Sequence, residues 1–345
     1  MWNNLLQLSI KPIRILVLFL LINCSPSTEY NSELLKPNAK KDYGEILFAI
    51  NKKHWKNDLG KTIKNSFEQL LKTTPLPYEK EYNIDFIVPK KIINNLKNKS
   101  CIIFIEIENY NSLNTVPIYK KDMWAKNQLI IELKFKTEKN AIEYFKSNSH
   151  LIKEKINHFY YSTISKKYNT KNSINKSIEK EINLLYKVSN KMQLNKKGDD
   201  FWWFSEVDIK KDQNGSHEIQ KGIVIYKYPY YNQKQFEKNN QIIIRDSICK
   251  KYLRGKKDNS YMETVRKGIN ETICFPYIFN NKYFNKLSGC WRMKNDKMGG
   301  AFTSISFLTE DKKSIITTEG YVYAPNFEKI KLIRELESII YSPFI

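Results

Sequence analysis

Residues 289–325, GCWRMKNDKMGGAFTSISFLTEDKKSIITTEGYVYAP, constrain the fold more than any other part of the chain. Phe302, Ser304, Ser306 and Leu308 alternate with Thr303, Ile305 and Phe307, and TTEGYVYAP places Tyr321 and Tyr323 on one face. Alternation of this kind marks half-buried strands, so the stretch reads as an antiparallel meander turning at Glu310-Asp311-Lys312-Lys313. It holds four of the eleven glycines and the only Gly-Gly pair, Gly299-Gly300, where the backbone needs unusual freedom or a neighbour comes close. No nucleophile, metal-ligand set or phosphate loop lies within it. Trp291, Asn295, Asp296, Gly299, Gly300, Glu319, Tyr321 and Tyr323 therefore stand as a candidate binding surface, with no catalytic residue assigned.

Four segments share one plan, a strand leading into an amphipathic helix. Glu45–Ile50 precedes a helix from Asp58, striped by Leu59, Ile63, Phe67, Leu70 and Leu71. Leu129–Phe135 precedes a long helix from about Glu138, striped by Ile142, Phe145, Ile152, Ile156 and Phe159. Gly222–Tyr228 precedes a helix near Lys234–Leu253, striped by Phe236, Asn240, Ile243, Ile244, Ser247 and Ile248. Gly320–Tyr323 precedes the last helix, striped by Phe327, Ile330, Ile333, Leu336 and Ile340. The recurrence predicts an α+β fold of two related halves, each a mostly antiparallel sheet with amphipathic helices on one face.

The halves are expected at 43–190 and 191–345, divided in a helical region where Ser173 is a plausible N-cap and Ile174, Ile178, Ile182, Leu185 and Val188 form a stripe. Phe201-Trp202-Trp203-Phe204 opens the second half and reads as a strand buried on both faces.

Residues 1–23 have the form of a secretory leader: Lys11 and Arg14, then an apolar run from Ile13 to Ile22 that is too short to span a bilayer. Leu21-Ile22-Asn23-Cys24 resembles a lipobox, which makes Cys24 the expected lipidated N-terminus, carrying palmitate-type chains, with 24–42 as a flexible tether. No acidic run follows Cys24, which favours an outer-membrane position facing the periplasm.

The formal net charge is +22, and +20 once Lys11 and Arg14 leave with the leader. This excess is almost entirely Lys: 52 Lys stand beside 6 Arg, the skew that AT-rich codons produce, and the lysines occur in every segment. Arg is the residue suited to bidentate phosphate recognition, so no specific nucleic-acid partner is expected. Cys101, Cys249, Cys274 and Cys290 show no metal spacing; Cys101 and Cys249 read as buried, and any disulfide would join Cys274 to Cys290. His54, His150, His158 and His217 lie at no ligand spacing, and no metal or cofactor is expected.

The blocks DMWAKNQLIIEL, YKYPYYNQKQF, RDSICKKYLRG, GCWRMKNDKMGGAF and EGYVYAPNFEK resemble uncharacterised Bacteroidota lipoproteins grouped as a domain of unknown function (forty-eight thirty-seven). The resemblance runs from about residue 43 to the C-terminus. Trp291, Asn295, Asp296, Met298, Gly299, Gly300, Phe302, Glu319, Gly320, Val322, Tyr323, Ala324 and Pro325 match its motif, and Ala301 stands where Pro is usual. It implies an envelope lipoprotein and no particular activity.

The leading expectation is a membrane-tethered, non-enzymatic protein that binds an envelope protein or glycan. The alternative is an envelope hydrolase pairing Asp296 with Glu319 or Asp246 as acid and base.

Overall fold

Cys101–Ile107 and Leu129–Phe135 are near-continuous apolar runs, and they lie side by side at the centre of a first sheet. The computed structural model of the chain describes residues 35–108, 116–168, 173–213 and 215–345, the side chains at 173 and 174 excepted. The leader, Cys24, most of the tether and the capping role assigned to Ser173 lie outside the described residues. Residues 38–345 form one unit.

The first half runs β1 (Glu45–Ala49), α1 (Lys52–Lys56), α2 (Asp58–Phe67), β2 (Leu70–Leu71), β3 (Glu79–Lys80), β4 (Asn83–Ile87), β5 (Cys101–Ile107), β6 (Ile118–Lys121), β7 (Leu129–Phe135) and α3 (Glu138–Ser165). Its sheet has the order β4-β1-β5-β7-β6. The β1/β4, β1/β5 and β5/β7 pairs are parallel, and β6/β7 alone is antiparallel. This departs from the antiparallel pairing predicted for both halves. Parallel strands covered on both faces lack in/out alternation, and CIIFI and LII lack it too. One face packs on α2 and α3 through Phe48, Ile63, Phe67, Phe145, Ile152 and Ile156; the other is covered by Ile92, Leu96 and Trp124.

Helix α3 begins at Thr137, whose side chain accepts from the Asn140 N–H at 3.2 Å, and its predicted stripe faces the core. The α2 stripe stops at Phe67: Leu70 and Leu71 leave the helix for β2, and Leu70 is exposed.

The second half runs α4 (Ser173–Ile182), which lies before the expected division at 190/191 but packs in the core of the second sheet, then β8 (Gln193–Gly198), β9 (Phe201–Asp212), β10 (Gly215–Pro229), α5 (Lys238–Tyr252), β11 (Met262–Thr264), β12 (Ile273–Phe279), β13 (Lys282–Met293), β14 (Gly299–Leu308), β15 (Ser314–Tyr323) and α6 (Lys329–Ile340). Its antiparallel sheet has the order β11-β13-β14-β15-β10-β9-β8, with β12 also paired to β13. The predicted meander is β13-β14-β15, with Phe302 opposite Tyr321 and Ser304 opposite Glu319.

Helices cover both faces of this sheet, where one face was predicted. Helix α5 packs over Trp291, Phe302 and Tyr321, while α4 and α6 pack over Trp202, Ala301 and Ile305. The aromatic run at 201–204 explains this. Phe201 joins the α5 core and Trp202 and Phe204 the α6 core, so both faces of β9 need an apolar partner. In α6, Ile333, Leu336 and Ile340 are buried as predicted, whereas Ile330 in its first turn and Phe327 ahead of it are half-buried. Leu185 and Val188 lie beyond the end of α4.

The halves meet where α3 packs on α6. The rings of Tyr161 and Tyr341 stack at 5.2 Å, and the Tyr161 hydroxyl donates to Glu337 at 2.6 Å.

Candidate functional site

Helix α5 is where residue patterning and structure disagree most. The predicted stripe of Phe236, Asn240, Ile243, Ile244, Ser247 and Ile248 is not the buried face: Gln241, Ile242, Arg245 and Cys249 are, Ile244 and Ile248 are half-buried beside them, and Ile243 is 55% exposed. A guanidinium on the inner face is stable only with a partner, and Glu319 of β15 supplies it.

Arg245 and Glu319 are each 1% exposed. Arg245 Nε and Nη2 donate to the two Glu319 carboxylate oxygens, both at 2.7 Å, the bidentate arrangement that a planar guanidinium matches best. Its Nη1 donates to Thr264 Oγ1 at 2.9 Å, and its plane lies 3.8 Å from the Phe302 ring centroid. Burial alone would lower the Arg245 pKa, but the adjacent Glu319 carboxylate outweighs it and the guanidinium stays charged. Burial raises the Glu319 pKa, with Arg245 opposing.

The array continues outward. Thr264 Oγ1 donates to Asp246 Oδ1 at 2.7 Å, and the Thr264 N–H donates to the same oxygen at 2.8 Å. Arg266 Nη2 donates to Asp246 Oδ2 at 2.6 Å. A line of charge thus runs from the sheet interior through Glu319, Arg245, Thr264 and Asp246 to Arg266, whose side chain is 52% exposed.

Arg266 opens on a cleft of about 550 Å³ between α5 and the β11/β13 edge. Four cations line it, Lys250, Arg266, Lys267 and Arg292, against the carboxylates of Asp246 and Glu263. Arg292 Nε donates to Glu263 at 2.8 Å, so both arginines are held by acids while their side chains stay more than half exposed. Four of the six arginines, Arg245, Arg254, Arg266 and Arg292, fall within residues 245–292. That clustering was legible in the sequence; the link to Glu319 was not.

The predicted surface residues separate into two groups. Trp291, Glu319 and Tyr321 are buried in the α5 core, where Trp291 and Tyr321 meet edge to face at 5.7 Å. The Trp291 indole donates to the Val322 carbonyl at 3.2 Å, and the Tyr321 hydroxyl accepts from Trp203 at 2.9 Å. A Cβ at Gly300 would stand 1.8 Å from the Val322 carbonyl oxygen, so the strands can approach only with glycine there. Gly299 and Tyr323 are half-buried at the two strand ends.

Asn295 and Asp296 occupy the β13–β14 turn: Asn295 has φ +60°, and Asp296 accepts from the Lys297 N–H at 2.7 Å. Asp246 and Glu319 come together at Arg245, while the nearest cation to Asp296 is Lys257 at 3.6 Å.

The four described cysteines are free, and Cys274 and Cys290, the pair that any disulfide would have joined, are not bonded. Cys274 stands opposite Leu287, three residues from Cys290 on β13, so the two thiols point to opposite faces of the sheet. Burial pushes the Cys249 thiol up to about 12 and the Cys290 thiol up to about 11, so neither is a thiolate nucleophile at neutral pH. Among the described residues no cluster of three or more His, Cys, Asp or Glu could hold a metal ion. No described helix is long and apolar enough to cross a membrane.

Residues 171–342 match the family model Domain of unknown function (DUF4837), a span that includes the Gly300 approach, the Trp291/Tyr321 contact and Ala324-Pro325. The second half belongs to DUF4837. The DUF4837 domain holds α5, the meander and every residue lining the cleft. Residues 40–169 match a different model, Domain of unknown function (DUF8532), so the resemblance read as starting near residue 43 is confined to the DUF4837 domain. No curated protein matches the chain.

Proposed function

We propose that this protein is a lipid-anchored envelope protein, held through Cys24, that takes an anionic group of an envelope glycan or protein in the arginine cleft. The observation that carries this reading is the buried Glu319–Arg245–Thr264–Asp246 array that ends on Arg266. In a chain whose surface cations are almost all Lys, two of the three exposed arginines among the described residues line one concave site and are oriented by acids there. Arg presents a fork of donors to a carboxylate or phosphate, which a Lys ammonium cannot.

Binding is favoured over acid–base hydrolysis because Glu319 and Asp246 are already engaged. Glu319 accepts two bonds from Arg245, and Asp246 accepts from Thr264 and Arg266. A general base must reach the proton it takes, and Glu319 is buried beneath α5, out of reach of a substrate.

The test is co-sedimentation with purified peptidoglycan sacculi, a glycan rich in carboxylates. Arg266→Ala combined with Arg292→Ala should weaken binding at least about tenfold, the scale of one lost charge-assisted pair. Asn295→Ala in the nearby turn should not. Equal binding by all three proteins would reject the glycan reading. The anchor is tested separately by fatty-acid labelling, which Cys24→Ser should abolish. Duplex DNA should bind weakly and be released as salt rises.

A further inference from the structure

A second concavity lies on the opposite side of the C-terminal sheet, away from the arginine cleft. It encloses about 710 Å³ between the end of α4, the start of β13, the β14–β15 hairpin and the last residues of the chain. Its size and lining differ from those of the cleft. Leu184, Phe284, Phe307, Leu308, Ile316 and Phe344 provide its apolar wall. Phe284, Phe307 and Phe344 pack edge to face at 4.8–5.5 Å, which holds that wall rigid. Leu184, Phe307 and Leu308 are only partly buried, so apolar surface remains open to solvent in the groove.

Three lysines, Lys227, Lys282 and Lys313, stand at its edge. Lys227 lies 3.3 Å from Asp200. Among the described residues no carboxylate lies within ion-pair distance of Lys282 or Lys313. The acids of this rim are Glu310 and Asp311, and Asp311 is turned into its own hairpin, accepting from the Thr309 hydroxyl at 2.6 Å and the Lys313 N–H at 3.1 Å. The groove therefore offers an apolar wall beside two lysines that make no close ion pair: Lys313 acts on Asp311 at longer range, and the Lys282 ammonium lies 5.3 Å from the Phe344 ring centroid.

We propose that this groove binds a free long-chain fatty acid, its acyl chain along Phe307, Leu308 and Leu184 and its carboxylate at Lys282 and Lys313. The volume lies within the range of small-molecule sites, about 300–1,000 Å³, and an apolar lining with few convergent polar groups is their usual make-up. A ligand that was only anionic would leave the apolar wall wet, and one that was only apolar would make no use of the two ammonium groups beside it.

The experiment is calorimetric titration of the purified full chain with sodium octanoate, decanoate and dodecanoate below their micelle concentrations. Each methylene buried is worth about 0.8 kcal/mol, so affinity should rise about fourfold per added methylene. Leu308→Glu, which puts a like charge in the wall, should weaken dodecanoate binding at least about tenfold while the thermal melt stays near that of the wild type. If that variant does not fold, Leu184→Glu serves the same purpose from the other wall. Lys282→Gln with Lys313→Gln should weaken dodecanoate and leave dodecanol unchanged. An affinity independent of chain length would overturn the proposal. So would unchanged binding by a folded Leu308→Glu or Leu184→Glu variant. Association seen only with phosphatidylglycerol vesicles, and lost at about 0.2 M salt, would mark surface adsorption and overturn it as well.

Discussion

Helices α3 and α5 both lie flat on a sheet, yet they are held there by different means. Helix α3 buries Phe145, Ile152 and Ile156 against Phe48, Phe67 and Phe135, an apolar stripe at the helical period. Helix α5 buries Gln241 and Arg245 beside Ile242 and Cys249, and its central contact is an ion pair with β15. The first arrangement tolerates variation in shape, because any apolar side chain of similar volume can fill the space. The second requires two particular residues 74 positions apart, and each is costly without the other.

The contrast can be broken most strongly by single truncations in each region. Phe145→Ala and Arg245→Ala should each lower stability by about 3–5 kcal/mol, read as the shift in urea unfolding. The first leaves a cavity and the second leaves the Glu319 carboxylate buried and unpaired.

Asp246→Ala should cost about 1–3 kcal/mol, because it releases the Thr264 N–H, the Thr264 hydroxyl and Arg266 together. It should also reduce sacculus binding, since Arg266 loses the acid that orients it.

Replacing both partners, Arg245→Met with Glu319→Leu, sharpens the comparison. Stability should stay within about 2 kcal/mol of the wild type, far above either single truncation, because no charge is left unpaired. A double variant as unstable as Arg245→Ala would show that packing around α5, and not the unpaired charge, sets the loss.

Asp296→Ala should change stability by about 0.5–1 kcal/mol, the scale of one turn hydrogen bond. A larger loss in binding than in stability would make that turn part of the ligand site.

The smallest effect is a pH dependence at His158, which stacks on Phe279 at 5.0 Å and bonds Asn280 at 2.9 Å. Burial lowers its pKa, aided by Lys155 and Lys121 and opposed by the Asn280 bond. The unfolded chain then binds the proton more readily than the folded one. Its contribution is complete above about pH 6.5, the unperturbed value, and is lost as pH falls through the lower folded value. Unfolding midpoints measured downward from neutral pH should fall more steeply for the wild type than for His158→Phe.

What the sequence determined by itself was whatever depends on neighbours a few residues apart. The period of Phe145, Ile152 and Ile156 sets the buried face of α3; the alternation from Phe302 to Leu308 makes a strand; Phe201-Trp202-Trp203-Phe204 needs cover on both sides. The α+β class in two halves follows from these local rules. Only the tertiary structure decided which strands of the first sheet run parallel, which face of α5 turns inward, and that Cys274 and Cys290 point apart. The reason is the range of the interactions. An apolar stripe announces its own burial through its period, whereas Arg245 looks like a surface residue until Glu319 is brought to within 2.7 Å of it by the pairing of β15 with β10 and β14.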